Sequence, residues 1–600
     1  MIVYRGAARR ASASRWLGRI ARELDDRRAA SADHDAVREL VIELGALEAA
    51  VSDALHPEAD DVHELDVALR EITVLAAHAL RLSWDGADAP ALAGALERVR
   101  LAVGTLARAR LPRLVHAGVP EGYAYYGLYP EGYLEAARRL ARELRPERAM
   151  CVGIRGIGTS LAAAARAALE GEGCRARSWS VRPRGAPFAR EVALAPALRD
   201  EMRAHADALW LVADEGPGLS GSSFAAVAAA LSALGVPDER IVLLPSWTPG
   251  GERFVSDEAR RRWARHRKVV VSFEEAFLAS GRLARVLGGG ELVDISAGDW
   301  RRLWYGDAQR WPATHPQHER RKFLLAPARA AERLRTESGR APLAAAARDG
   351  ARVVKFAGLG RFGRATVDRA RRLASAGFAP APIACAHGFV VSDLVPGVPL
   401  APGQGTPGLV ERVARYLAFV ALEFRTGELA RRDELARLIA VNAAEALGSP
   451  HAAAVARVAR LGESLGDTAA VWLDARLMPH EWLVHDGALL KTDATDHHDD
   501  HFYPGAQDPA WDLAGAMVEL ALAPADSAAL VARYRALTGD RRIGERLPFH
   551  RVAYLAHRLG YATLAMDTLS GTAEAARWRP VARRYAALLG RAIARGAHAA

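Results

Sequence analysis

The sequence has little cysteine and no long apolar run. Only three of its 600 residues are cysteines, Cys151, Cys174 and Cys385, and no two of them form a CxxC pair. An odd number of widely separated cysteines argues against a disulfide framework or a zinc ribbon and for a reducing compartment. The N-terminus has no signal-peptide core, and no apolar run is long enough to span a bilayer. We therefore expect a cytoplasmic protein without a membrane segment.

Acidic residues are outnumbered by basic ones. The chain has 81 Lys and Arg against 71 Asp and Glu, which gives a formal net charge of +10. A basic balance suits phosphate-bearing ligands. The excess is spread thinly, as on solvated helix faces, and is dense only at 260–268 and 319–322. Because nucleic-acid motifs are missing, we expect phosphorylated small molecules rather than nucleic acid as ligands.

The apolar periodicity divides the chain into units and predicts a multidomain protein with α/β and α+β parts. Helical spacing without strand signals predicts a helical domain over 1–118, which could serve packing or oligomerisation. Strand-like runs alternating with Ala-rich helices predict a parallel-sheet domain over 119–298. Residues 299–345, rich in Trp, Arg and His, are a connector and the start of a further lobe. A mixed and then mainly helical domain follows over 346–600.

A tyrosine-rich segment lies at the start of the second domain. Five tyrosines occur between Val119 and Leu144, together with two Pro-Glu-Gly turns. Tyrosines at this density line a pocket or an interface, or they pack in a core.

The most informative stretch is LWLVADEGPGLSGSSF. A buried strand ends in Asp214 and Glu215, and a glycine-rich loop then enters a helix through Ser220, Gly221, Ser222 and Ser223. Small residues let backbone N–H groups approach a phosphate, and a helix N-terminus favours negative charge. Carboxylates at the strand end can accept hydrogen bonds from vicinal sugar hydroxyls. The pattern predicts a site for a ribose 5-phosphate ligand.

This stretch resembles the phosphoribosyl diphosphate loop of type I phosphoribosyltransferases. The resemblance implies that Asp214 and Glu215 hold the ribose and that residues 220–223 hold the 5′-phosphate. There are four residues, 216–219, between the acids and the turn where the family usually has three, and the acidic catalytic residue often found in that gap is missing. The acceptor and its activation are therefore left open.

A second glycine-rich turn lies upstream, in CVGIRGIGTSLAAAARAAL. In the family the equivalent loop binds pyrophosphate, which implies that role for Arg155, Gly156, Gly158, Thr159 and Ser160. Between the loops, the basic segment with Arg182, Arg184 and Arg190 sits where the family carries a mobile hood, although an ordinary charged hairpin is an equal alternative. For the whole domain the alternative is a doubly wound sheet with chance glycine turns.

Residues from about Ala351 resemble the aminoglycoside-phosphotransferase-like kinases. The resemblance implies that Lys355, near the end of an apolar strand, binds nucleotide phosphates and that Asp493 binds a metal. Asp368 would be the partner of the lysine. QDPAWDLAGA matches the Asp-Pro-x-x-Asp-Leu-Ala element, in which Asp512 would brace the catalytic loop.

The catalytic loop departs from the kinase pattern. The best alignment, DARLMPHE, puts Arg476 at the base position and Glu481 at the metal-binding position. A cationic Arg cannot accept a proton from a substrate hydroxyl. Glu481 and Asp493 could still hold Mg²⁺. The tract DATDHHDDH also invites a metal site at His497 and His501, but a solvated loop is the preferred interpretation.

The function expected from the sequence is Mg²⁺-dependent transfer of a phosphoribosyl group from phosphoribosyl diphosphate to an unidentified acceptor, next to a kinase-like domain that binds a nucleotide such as ATP. One alternative is a sensor that binds these ligands without turnover. Another is a bifunctional enzyme with an active small-molecule kinase half, so kinase activity is left open.

Overall fold

The computed structural model describes residues 1–6, 8–26, 33–218, 220–448, 452–497 and 500–598. The chain is a multidomain mixed α/β protein with parallel and antiparallel sheets. Within these ranges, every helix is too short or too polar to cross a bilayer.

The N-terminal unit is built from four helices. They are α1 (Ala13–Asp26), α2 (His34–Leu55), α3 (Glu64–Trp84) and α4 (Ala89–Leu106). Side-chain caps start three of them: Asp33 accepts from the backbone N–H groups of Asp35 and Ala36, His63 accepts from that of Leu65, and Asp88 accepts from that of Ala91. The prediction of no strands here was wrong: Ala8–Ala11 (β1) pairs antiparallel with Val115–Gly118 (β2). Four-residue strands are too short to show an alternating pattern.

The second unit contains a five-stranded parallel sheet. Its strands and the hairpin between them are β3 (Arg148–Ile154), β4 (Arg175–Val181), β5 (Pro183–Ala186), β6 (Ala189–Val192), β7 (Leu209–Ala213), β8 (Ile241–Leu244) and β9 (Arg267–Lys268). The sheet order is β4-β3-β7-β8-β9, and β5 pairs antiparallel with β6. The apolar run KVVVSF at 268–273 has the composition of a longer last strand, but only its first residue lies in β9.

Helices of the second unit cover both faces of this sheet. They are α5 (Pro130–Leu144), α6 (Ile157–Gly171), α7 (Pro196–Arg203), α8 (Ser222–Ala233), α9 (Asp257–Arg265) and α10 (Arg282–Val286), with π-helical turns at Gly122–Tyr126 and Glu274–Ala279. The chain passes from β3 to β4 on one side and returns to β7 on the other side of β3. Ligands of open α/β sheets bind outside the carboxyl ends of strands at such a reversal.

The third unit begins with a five-stranded antiparallel sheet. Its strands are β10 (Glu291–Asp294), β11 (Lys322–Ala326), β12 (Arg352–Phe356), β13 (Pro382–Ala386) and β14 (Phe389–Asp393), in the order β10-β11-β12-β14-β13. Its helices are α11 (Trp300–Tyr305), α12 (Ala328–Thr336), α13 (Arg340–Arg348) and α14 (Arg361–Ser375). Two boundaries therefore differ from the prediction: residues 291–294 belong to this sheet, and the supposed connector 299–321 joins two of its strands.

A mainly helical lobe completes the third unit. Its helices are α15 (Leu409–Glu423), α16 (Arg432–Leu447), α17 (Ala452–Ser464), α18 (Ala510–Glu519), α19 (Pro524–Thr538), α20 (Ile543–Thr568) and α21 (Ala573–His598). Short strands β15 (Val398–Pro399), β18 (Trp482–His485) and β19 (Ala488–Lys491) form one small sheet; β16 (Arg425–Leu429), β17 (Ala469–Trp472) and β20 (Ala506–Gln507) form another. Within the described part of the chain, 3₁₀ turns lie at Asp238–Arg240, Gly251–Arg253, Ala308–Arg310, Pro316–His318 and Pro479–Glu481.

Aromatic side chains join the second and third units. The ring of Tyr129 lies 4.4 Å from that of Phe277 and 6.3 Å from that of Phe356 on β12. Phe273 lies 5.7 Å from Phe389 on β14. All five side chains are buried and belong to one hydrophobic core. The antiparallel sheet is therefore packed against the α/β unit and not tethered to it by a linker.

Candidate functional sites

A cavity of about 740 Å³ lies at the carboxyl ends of β3 and β7. Its floor contains Asp214 and Glu215, which directly follow β7, and Gly156 and Ser160, which follow β3. Its roof comes from α2 and from the tyrosine-rich segment, through Ala46, Asp53, Glu121, Tyr123 and Tyr126. The cavity thus lies at the strand reversal where an open α/β sheet binds its ligands.

Asp214 and Glu215 are carboxylates without a positive partner among the described residues. Burial raises the pKa of Asp214 to about 7. Burial, together with the charges of Asp214 and Glu121, raises the pKa of Glu215 to about 8. A desolvated acid pair of this kind is a strong candidate for a functional site, because a ligand or a proton must compensate its charge.

Some residues of the upstream turn line the cavity, and others pack in the core. Gly156 and Ser160 line the cavity. Gly158 packs against β7, where an added Cβ would lie 2.4 Å from the carbonyl oxygen of Ala213. The Oγ1 atom of Thr159 is buried without a hydrogen-bond partner.

Arg155, predicted to bind pyrophosphate, is buried and engaged elsewhere. Its guanidinium donates to Asp60 at 2.8 Å, to Asp53 at 3.2 Å and to the carbonyl oxygen of Ser180 at 3.0 Å. These contacts attach the N-terminal unit to the α/β unit, and Arg155 is absent from the cavity lining.

The predicted phosphate turn is closed by its own hydrogen bonds. Gly221, with φ +61°, precedes the first residue of α8. The hydroxyls of Ser220 and Ser222 are 2.9 Å apart, and Ser222 also donates to the carbonyl oxygen of Pro187 in the β5–β6 hairpin at 2.5 Å. None of the residues 220–223 lines the cavity, although Gly216, Pro217 and Gly218 do.

The hairpin occupies the position predicted for the hood. Arg182 lines the cavity and donates from Nε to Asp53 at 3.0 Å, and Arg184 pairs with Asp60 at 3.0 Å. Arg190 donates to the carbonyl oxygen of Pro183 at 3.1 Å. The hairpin therefore contacts α2 and the loop after it.

A second site lies between the antiparallel sheet and the helical lobe. The Nζ atom of Lys355 on β12 lies 2.5 Å from Asp493 and 2.9 Å from Asp496. Arg320 pairs with the other oxygen of Asp496 at 2.8 Å. Burial opposes ionisation of Asp493, but the positive charges of Lys355 and its neighbours outweigh burial and hold its pKa well below the usual range.

Asp368, the predicted partner of Lys355, lies outside this site. Asp368 on α14 is exposed and pairs with Arg371 at 3.3 Å. The next residue, Arg369, is buried and donates to the carbonyl oxygens of Ala494 and Leu473 at 2.9 and 3.0 Å. It thereby fixes α14 to both loops of the site. Arg369 was not predicted from the sequence as a site residue. The available signal was its position on the apolar face of an amphipathic helix, where a charged side chain needs buried partners.

Asp512 braces the loop before the site, as predicted. Its carboxylate accepts the backbone N–H groups of Asp474 at 2.8 Å and Ala475 at 2.9 Å. The indole of Trp511 donates to the carbonyl oxygen of Ala475 at 3.1 Å. Burial raises the pKa of Asp512 to about 7.

Lys491 was not predicted from the sequence either. A lone lysine at the end of the apolar run ALLK was the available signal for a buried ion pair. Its ammonium lies 2.9 Å from Glu481 and 3.1 Å from Asp474. Arg476 donates to the Nε2 atom of His497 at 2.7 Å and lies 3.3 Å from Glu481. The base position therefore holds an arginine inside a network of charges.

Among the residues that the structure describes, two groups of side chains could hold a metal ion. Asp493, Asp496 and His497 form one group, and Asp474, Glu481 and His497 form the other. The predicted pair Asp493 and Glu481 is thus divided between them, and His501 belongs to neither. One oxygen of Glu481 is buried without a hydrogen-bond partner. These carboxylate oxygens fit the donor preference of Mg²⁺.

A cavity of about 180 Å³ opens beside Lys355. Apolar and aromatic side chains form most of its wall, and three lysines and four acids also line it: Lys322, Lys355, Lys491, Asp393, Glu481, Asp493 and Asp496. The wall includes Trp300, Trp304, Val353, Phe356 and Leu483. An apolar slot that ends in a lysine and carboxylates has room for a planar heterocycle with its phosphates at the polar end.

Comparison with solved structures finds choline and ethanolamine kinases over about 40% of the chain. Choline kinase LicA from Streptococcus pneumoniae is 13% identical, with a TM-score of 0.29, 44% of this chain and 89% of that chain covered. A choline/ethanolamine kinase family protein from Mesorhizobium loti is 16% identical, with a TM-score of 0.30 and coverage of 41% and 87%. A Plasmodium vivax ethanolamine kinase is 9% identical, with a TM-score of 0.30 and coverage of 44% and 79%.

These likenesses are weak and concern less than half of the chain. No protein-family model matches the sequence, and no curated protein matches it. The comparisons give no support to a phosphoribosyltransferase domain. Statements about function therefore depend on the geometry of the two sites.

Proposed function

We propose that the C-terminal half is a small-molecule kinase-like site that binds a nucleoside triphosphate with Mg²⁺. The observation that carries the proposal is the contact between Lys355 and Asp493 at the polar end of an apolar cavity. Lys355 would hold the nucleotide phosphates, and Asp493 with Asp496 would hold the metal. Glu481, one oxygen of which accepts no hydrogen bond and lies 3.3 Å from Nε of Arg476, is a further candidate ligand.

Phosphate transfer by this site would be slow. Arg476 stands where the related kinases carry their general base, and a guanidinium cannot accept a proton. Loss of a positioned base typically costs about a hundredfold or more in rate. We therefore propose the kinase half of the bifunctional alternative in a form that binds a nucleotide and transfers phosphate slowly.

Nucleotide binding tests this proposal. Calorimetry with a non-hydrolysable ATP analogue and Mg²⁺ should detect binding to the full chain, and Lys355→Met and Asp493→Asn should each weaken it by about tenfold or more. Lys268→Met and Asp368→Asn are matched controls outside the cleft and should leave it unchanged. Equal affinity in all five proteins would exclude the assigned site.

We propose as a second function that the α/β cavity binds a ribose-bearing phosphorylated ligand, phosphoribosyl diphosphate being the candidate. The specific support is the unpaired acid pair Asp214 and Glu215 at the strand reversal. Hydroxyl groups of a ribose would donate to both carboxylates. Binding without turnover is the simpler form of this proposal, because residues 220–223 lie outside the cavity lining.

Phosphoribosyl diphosphate binding with Mg²⁺ tests the second function. Asp214→Asn with Glu215→Gln should weaken the affinity measured by calorimetry, since both hydrogen bonds lose their charged acceptor. Asp238→Asn on the same unit is the control. Release of pyrophosphate with a panel of acceptors separates a transferase from a sensor, and unchanged affinity in the double variant would remove the ribose assignment.

A further inference from the structure

A small cavity of about 60 Å³ lies beside the catalytic loop and adjoins the apolar slot, with which it shares Lys355, Asp493 and Asp496. Arginines on three different segments line it: Arg320 precedes β11, Arg476 lies in the catalytic loop and Arg558 lies on α20. A volume of two waters or so admits one oxyanion group and not a whole metabolite.

Arg476 has donors to spare. Its Nη2 atom donates to His497, and its Nε atom, which makes no hydrogen bond among the described residues, forms an ion pair with Glu481 at 3.3 Å. About a third of its side chain is still accessible, so part of the guanidinium is open to the cavity.

Arg558 is buried, but its polar contacts are long. Its Nε atom lies 3.3 Å from the hydroxyl of Tyr585 and 3.5 Å from the carboxylate of Glu519, and its Nη2 atom lies 3.6 Å from the sulfur of Met478. The rings of Tyr561 and Tyr585 lie 5.5 Å from the guanidinium carbon. Arginine has five N–H donors, and these contacts leave several unused.

The remaining polar wall contains histidines, two lysines and four acids. His315 and His318 are stacked 3.5 Å apart, and burial lowers their pKa values to about 4 and about 3. Nδ1 of His315 and Oγ1 of Thr314 are buried without hydrogen-bond partners. The four acids are already engaged: both oxygens of Glu319 accept hydrogen bonds, Asp493 and Asp496 are bound by Lys355, and Asp500 lies 2.9 Å from Nδ1 of His501.

We propose that this cavity binds an oxyanion, a phosphate or carboxylate group, on the second substrate of the kinase-like site, with Arg476 and Arg558 as its ligands. This inference rests on the proposed nucleotide site and names the class of molecule used beside it. Guanidinium groups bind both oxyanions through paired hydrogen bonds. A cationic amine would be repelled by the same two arginines.

Inorganic phosphate is the probe for this site. Calorimetry at constant ionic strength on the full chain, with the non-hydrolysable ATP analogue and Mg²⁺ present, should detect phosphate binding, while tetramethylammonium should not bind. Arg476→Gln and Arg558→Gln should each weaken phosphate by about tenfold or more. Arg533→Gln, on the surface of the same lobe, should have no effect. Arg476→Gln is the safer variant because Arg558 lies in the core.

The outcomes separate the two claims. Nucleotide binding without phosphate binding overturns the oxyanion site and leaves the proposed function standing. Phosphate that binds with ADP but is excluded by the triphosphate analogue would occupy the position of the terminal phosphate, which also overturns the assignment to a second substrate. Phosphate binding that both arginine variants weaken, in a protein that fails to bind nucleotide, supports the oxyanion site and overturns the nucleotide site.

Discussion

Removing the acid pair of the α/β cavity should stabilise the protein in a pH-dependent way. The ordinary pKa values are 3.8 for Asp214 and 4.5 for Glu215, and the folded values are about 7 and about 8. Between about pH 4 and pH 8 the folded protein keeps protons that the unfolded chain has lost. The contribution of these two acids to the free energy of unfolding is therefore fully present below about pH 4 and is lost as the pH rises to about 8.

The size of the effect follows from the shifts. One pKa unit corresponds to about 1.4 kcal/mol, so a shift of roughly three units sets a ceiling of about 4 kcal/mol for each acid. Both side chains are partly exposed to solvent in the cavity, and screening by that solvent reduces this maximum free energy. For Asp214→Asn with Glu215→Gln we expect a gain of about 1–3 kcal/mol at pH 8 and less than half of that at pH 5.

Hydrogen exchange resolved to peptides is the suitable assay, because a multidomain chain need not unfold in one step. After correction for intrinsic rates, amides of β7 should exchange about tenfold more slowly in the double variant at pH 8. Asp238→Asn is the control of opposite sign, since a hydrogen bond from Ser232 and the charge of Arg265 lower the pKa of Asp238. Faster exchange in the double variant at pH 8 would mean that the acids are already compensated, and would refute the reasoning.

Three further predictions concern packing and bracing. Asp512→Ala leaves two buried backbone N–H groups without an acceptor and should cost at least about 2 kcal/mol, measured as loss of protection in the catalytic loop. Gly221→Ala places a side chain at φ +61° and 2.9 Å from Phe254, so it should lower stability by about 2 kcal/mol; an unchanged melting temperature would contradict this. Gly45→Ala brings a Cβ within 2.6 Å of that of Ser160 and should destabilise the contact between α2 and α6, whereas Gly18→Ala meets no atom within 4 Å and should be neutral or stabilising.

Local patterns predicted most of the elements and the position of the acid pair. The strands β3, β7 and β8 were visible as apolar runs, and their alternation with helices predicted a parallel sheet. The bracing role of Asp512 was also predictable, because the Asp-Pro-x-x-Asp-Leu-Ala spacing fixes a carboxylate at the first turn of α18. These features depend on residues close together in the sequence.

Contacts between residues that are distant in the chain could not be predicted from the sequence. Arg155 has the residue type and place of a pyrophosphate ligand, yet Asp60, almost a hundred residues earlier, accepts its hydrogen bond. Lys355 meets Asp493 and Asp496 instead of Asp368 because α14 turns its buried face, carrying Arg369, toward the loops. Residue type predicts which groups can pair, whereas the packing of whole units decides which pairs form.

The π-helical turn Gly122–Tyr126 shows how such packing brings the two sites together. Tyr123 and Tyr126 line the α/β cavity beside Glu215. From the same turn, the carbonyl oxygen of Ala124 accepts a hydrogen bond from Arg320 at 2.9 Å, and Arg320 in turn holds Asp496. A ligand that displaces this turn must alter the support of a carboxylate that contacts Lys355. Any resulting difference in affinity would be reciprocal, because linkage requires each ligand to affect the other equally.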